Sequence, residues 1–165
     1  MDPERASMEL TVLGSGSAMP VPDRVQAGYL LDDGDRSLLV DCGSGVLQRL
    51  AATETGYEGV STVLLTHHHL DHVSALLPLM KARWLAGEEH LEVLGPTGTK
   101  SLLDGLLDVY EYLDGRIDLA VRGIDVGARR REPVGEPLHR VARLAGGHVE
   151  PGRREGPRRR HLADR

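Results

Sequence analysis

Residues 63–79 read VLLTHHHLDHVSALLPL, and they place four of the chain's eight histidines within six positions. These are His67, His68, His69 and His72, with Asp71 among them. Neutral imidazole and carboxylate are the donors that Zn²⁺ accepts where no thiolate is at hand. Cys42 is the sole cysteine, which excludes an intramolecular disulfide and a thiolate zinc cage. A histidine run can also be a solvated accident or a cloning tag, but this one lies in mid-chain between two patterned segments. Metal binding, with zinc as the cofactor, is therefore the expected chemistry.

The elements on either side set the geometry. STVLLT (61–66) is a continuous apolar run of strand length with β-branched residues, as in a buried strand. Leu70 to Ala86 carries apolar residues at helical spacing, with Pro78 inside it as a candidate kink. Side chains alternate along an extended segment, so His67 and His69 point to one side and His68 points away. That alternation excludes His68 from direct ligation. Asp71 and His72 fall in the first turn of the helix, beside the same opening.

The remaining elements follow from the same rules. MELTVLG (8–14) reads as a strand and GSGSAMPVPDR (14–24) as a loop. Residues 27–42 read as a β-hairpin about the turn signal DDGD. SGVLQRLAAT (44–53) has helical spacing with Ser44 as candidate N-cap. LEVLGP (91–96) is a short strand, and 97–113 a helix with Thr97 or Thr99 as cap. RIDLAVRGIDV (116–126) and PLHRVARLAG (137–146) hold weaker strand patterns. Strand–helix alternation after an early hairpin predicts one mixed α/β domain. The GSGS loop (14–17) admits two readings, backbone N–H groups offered to a phosphate or turn geometry alone.

Charge is divided unevenly. Residues 1–128 carry 9 Lys and Arg against 20 Asp and Glu, and residues 129–165 carry 11 Arg against 5 acids. An acidic body argues against a broad nucleic-acid surface. With no phenylalanine and 3% aromatic residues, it also offers no evident stacking platform for RNA. The basic end reads as a solvated tail, and residues 150–165 lack the apolar content to build a core. No stretch has the length of a membrane span, and MDPERASMEL lacks the apolar segment of a secretory signal. A cytoplasmic protein without membrane contact is expected.

THHHLDH resembles the H-x-H-x-D-H signature of the metallo-β-lactamase superfamily. Three companions point to its ribonuclease Z-like branch of metal-dependent hydrolases. LGSGSAMP resembles that branch's opening strand and loop. LLVDCGSGVLQRL resembles its strand ending in Asp-x-Gly before a helix. VLGPTGTKSLLDGLL resembles its later strand, Gly-Pro loop and helix. The resemblance covers about residues 8–113.

The resemblance implies an αββα sandwich, with the first half clear and the second largely missing. It implies that His67 and His69 bind a first metal and that Asp71 and His72 bind a second. Asp71 is also the candidate catalytic carboxylate. A further first-site histidine follows a short strand downstream in the family. His148, in LAGGHVEP, is the candidate, preferred to His139, which lies within the predicted strand. Asp41 is implied to support a ligand histidine from behind, fixing its tautomer. Cys42 reads as a small packed residue.

Family members continue with a bridging aspartate and a final histidine. This chain ends 17 residues past His148. His161 and Asp164 lie there without a strand pattern and are not assigned. The expectations are a partial domain over 8–149, a tail over 150–165, and a C-terminally incomplete chain. One zinc is expected, or two if the missing ligands come from elsewhere. The function implied is a phosphodiester hydrolase using zinc-bound hydroxide, with tRNA 3′-end processing as the family activity. A small-molecule phosphodiester or ester is the alternative substrate, and a non-catalytic metal-binding remnant the alternative role. The uncovered sheet face would suit a homodimer.

Overall fold

The computed structural model describes residues 8–124. Three strands come first: β1 (Glu9–Gly14), β2 (Gly28–Asp32) and β3 (Ser37–Val40). They pair antiparallel in sequence order. The β2–β3 turn is closed by its own acids, because Asp32 Oδ1 accepts from Gly34 N and Asp33 Oδ1 accepts from Asp35 N and Arg36 N. Gly34 has φ 88°, a left-handed conformation that glycine adopts without a Cβ penalty.

Next come β4 (Thr62–Leu64), β5 (His90–Gly95) and β6 (Asp118–Gly123), which extend the sheet in parallel from β3. The strand order is β1-β2-β3-β4-β5-β6. Each parallel step is bridged by helix: α1 (Val46–Leu50), then α2 (Leu70–Val73) with α3 (Leu76–Leu85), then α4 (Thr99–Val109). Parallel crossovers are right-handed, so strands advancing in one direction place every helix on one face.

That face holds the core. The register row Leu30, Leu39, Val63 and Val93 is buried against Val46, Leu50, Leu76, Leu79, Met80 and Leu103. Each such side chain contributes about 1.5–3 kcal/mol on burial. On the opposite face the row Val12, Tyr29, Val40, Leu64 and Leu94 also crosses the sheet in register. Val12 remains 57% exposed and its neighbour Leu10 58%. The described residues thus form one helix layer and one mixed sheet with one open face. Among them, no helix is long and apolar enough to cross a membrane.

Three local expectations are corrected. Ser44 does not cap α1: its N–H donates to Gln26 Oε1 and its carbonyl accepts from Gln26 N, and Gly45 at φ 87° takes the cap position. The helix predicted over 70–86 is two helices, separated at Ser74–Ala75. The break arises because Ala75 N donates to Cys42 O at 2.9 Å, outside the helical ladder. Pro78 then falls in the first turn of α3, where a missing N–H costs no intrahelical bond. Neither Thr97 nor Thr99 caps α4, since Gly98 at φ 97° does.

Candidate metal centre

In a parallel sheet, ligands gather beyond the carboxyl ends of the strands. Three segments meet there. Asp41 follows β3 directly, Thr66–His69 follow β4, and Pro96–Thr99 follow β5. The first two are laced together by the backbone. Asp41 N donates to Leu64 O, Cys42 N to His72 O, and Ala75 N to Cys42 O, all within 2.9 Å. Gly43 permits this approach, because a Cβ there would overlap the carbonyl oxygen of Asp71.

The segments bring His67, His69, His72, Asp71 and Asp41 into one cluster. The ring centroids of His67 lie 4.6 Å from His69 and 4.0 Å from His72. His72 Nε2 is 3.4 Å from Asp71 Oδ2. Asp41, 2% exposed, accepts from Thr66 N at 2.8 Å through Oδ1 and contacts His72 Nδ1 at 2.7 Å through Oδ2. Asp41 has φ 59°, the only positive φ at a non-glycine position among the described residues. A residue held in that region costs on the order of 1–3 kcal/mol and persists where the surroundings over-determine it. Here the carboxylate contacts on Thr66 and His72 do so.

The donor chemistry fits a cation. A neutral His72 that donates Nδ1–H to Asp41 keeps an unprotonated Nε2. That lone pair faces the Asp71 carboxylate oxygen at 3.4 Å, so two acceptors oppose each other. A cation between them satisfies both. No group of three or more His, Cys, Asp or Glu among the described residues already stands at ligating geometry. The donors are thus grouped on one edge and partly oriented, and ligation requires their side chains to reorient about a common centre.

His68 turns away from this cluster, and its Nε2 lies 2.8 Å from Thr99 Oγ1. Thr99 is 1% exposed and also donates to Pro96 O at 2.8 Å. The sequence does not single out Thr66, and it marks Thr99 only as a candidate helix cap. Thr66 adjoins the histidine run, so its hydroxyl was a visible signal. The Thr99 contact spans 31 residues and is invisible before folding.

The GSGS loop takes its turn-geometry reading at Gly16. Its N–H donates to Val25 O at 2.8 Å and so is not offered to a phosphate. Cys42 is fully buried, and burial first, then the Asp41 charge, push its thiol up to about 12. A thiol held neutral in this way is not a nucleophile. His148, its competitor His139, His161, Asp164, the strand pattern at 137–146 and the tail over 150–165 lie outside the described residues.

Comparison with known proteins places these features in a family. A family profile described as "Anti-Pycsar protein Apyc1" matches residues 8–105. A ribonuclease Z from Mycobacterium marinum is 43% identical over 107 residues, covering 62% of this chain and 38% of the relative. A second, from Mycobacterium bovis, is 41% identical over 109 residues, covering 64% and 39%. The chain thus spans about two fifths of the length of these relatives. Among solved structures, the metallo-β-lactamase fold protein YhfI from Bacillus subtilis aligns with TM-score 0.56 at 30% identity. That alignment covers 72% of this chain and 46% of YhfI. The short form of human tRNase Z aligns with TM-score 0.62 at 24% identity, over 69% of this chain and 43% of that one, a likeness of fold.

Proposed function

Because this chain belongs to the family described as Anti-Pycsar protein Apyc1, within the ribonuclease Z-like part of the metallo-β-lactamase superfamily, we propose that it is a zinc-dependent phosphodiester hydrolase. The observation that carries this reading is the convergence of His67, His69, Asp71 and His72 at the carboxyl ends of β3 and β4, with Asp41 buried behind them. His67 and His69 would hold a first zinc, and Asp71 and His72 the position beside it. Zinc at such a site supplies Lewis-acid polarisation of a phosphoryl oxygen and lowers the pKa of water. The chain's own residues orient those donors. Asp41 holds the His72 ring, and the Asp71 carboxylate would take up the proton of an attacking water.

The substrate class we propose is a phosphodiester, either an RNA 3′ end or a small molecule. The ribonuclease Z relatives support the first. The acidic body and scarcity of aromatic residues support the second. Cytoplasmic residence belongs to the same proposal, and rests on a single cysteine that is buried. So does a homodimer covering the open row of Val12, Tyr29, Val40, Leu64 and Leu94. Light scattering on the wild type and Val12→Lys tests the dimer: a monomeric wild type removes it.

The function is tested by zinc content and by hydrolysis of bis(p-nitrophenyl) phosphate. About one zinc per chain is expected, in keeping with a catalytic site that keeps an open position. Turnover should be lost in His67→Ala. Zinc bound without turnover would instead assign a metal-binding role alone.

A further inference from the structure

The Thr66 hydroxyl oxygen lies 2.8 Å from Asp41 Oδ2, 3.0 Å from Asp41 Oδ1 and 3.0 Å from His67 Nδ1. A hydroxyl has one proton to donate and two lone pairs to accept with, whereas an ionised carboxylate only accepts. The Thr66 proton therefore points at Asp41. The hydroxyl oxygen is left as an acceptor toward His67, so His67 must carry its ring proton on Nδ1. We infer that the single carboxylate of Asp41 sets the tautomers of two histidines, His72 by direct contact and His67 through the Thr66 hydroxyl. Both Nε2 atoms are left unprotonated, and both belong to the donor cluster.

The opposite arrangement is electrostatically poor. If Thr66 donated to His67, its oxygen would face both carboxylate oxygens at 2.8 and 3.0 Å with no proton between. The Thr66 backbone N–H, bonded to Asp41 Oδ1 at 2.8 Å, also holds the hydroxyl against the carboxylate. Thr66 is thus a positioning residue: it acts on the ring of His67. This inference rests on the metal-site reading only for the use made of Nε2, because the tautomers are set whether or not zinc binds.

The test uses the full ¹⁵N-labelled chain without zinc, above the histidine titration range. Long-range ¹H–¹⁵N correlation distinguishes Nδ1–H from Nε2–H rings. His67 and His72 are both expected as Nδ1–H in the wild type. In Thr66→Val, His67 should move toward the Nε2–H form while His72 stays, and Thr66→Ser should restore His67. Zinc affinity, measured by competition with a chromophoric chelator, should fall on the order of tenfold in Thr66→Val and recover in Thr66→Ser. A wild-type His67 in the Nε2–H form overturns the inference, as does a Thr66→Val protein with unchanged tautomer and affinity. If Thr66→Val does not fold, the wild-type and Thr66→Ser tautomers decide alone. A chain that binds no zinc would remove the proposed function yet leave the tautomer result standing.

Discussion

Asp41 Oδ2 lies 2.7 Å from Nδ1 of His72, across a gap of 31 residues in the chain. The carboxylate is buried and the ring is one-fifth exposed, so the pair joins the floor of the site to its mouth. A contact of this kind orients a ligand histidine and raises its basicity.

Replacing this carboxylate by its amide tests that role. Asp41→Asn keeps the shape but carries one acceptor oxygen in place of two. Thr66 N and Thr66 Oγ together with His72 Nδ1 then compete for it. Zinc affinity is expected to fall roughly 10- to 100-fold, the usual cost of losing a supporting contact behind a metal ligand. Titration against a competing chelator reads it, and an unchanged affinity would remove Asp41 from the site.

His67 and His68 are neighbours with opposite expected outcomes. His67→Ala should lose bound zinc and all hydrolysis. His68→Ala removes only the contact to Thr99, so it should retain zinc and lose about 1 kcal/mol of stability. Elemental analysis and urea unfolding on both variants check this. Equal zinc loss in the two would mean that alternation along the extended segment after β4 does not decide which ring binds.

Gly43→Ala should destabilise the fold and weaken zinc binding together. The new Cβ would overlap the Asp71 carbonyl oxygen, which is backbone and cannot swing aside. A cost of roughly 1–3 kcal/mol is expected, as for other overpacked sites. A variant of wild-type stability would show that the 41–43 and 71–75 segments separate easily.

Cys42 makes stability depend on alkaline pH. Its thiol is neutral in both states below its ordinary value of 9.0, and the folded value is pushed up to about 12. Between those limits the unfolded chain releases the proton and the folded chain keeps it. Stability therefore falls as pH rises, with a slope of up to about 1.4 kcal/mol per pH unit from this group. Denaturant midpoints across that range should fall more steeply for the wild type than for Cys42→Ala. Identical slopes would mean that the thiol reaches water.

The strands were legible from local pattern, because period two and β-branched runs are properties of the chain itself. STVLLT, LEVLGP and the hairpin around DDGD all appear as strands near their expected bounds. The histidine run showed by itself which residue types were present and, by alternation, that His67 and His68 face opposite ways. Helix ends were harder. The break at Ser74–Ala75 follows from a bond between Ala75 and Cys42, and local periodicity carries no trace of a partner 33 positions away. Ser44 likewise had the chemistry of a cap, but Gln26 holds its backbone elsewhere.

The sequence by itself thus determined the donor types, the strand that precedes them and the family they resemble. Only the tertiary structure decided that Asp41 lies against both Thr66 and His72, that His68 is held by Thr99, and that Gly43 must lack a side chain. The reason is physical. Patterns of burial and backbone preference act within a few residues, whereas hydrogen-bond partners are chosen by whichever segments the sheet order brings to the same edge.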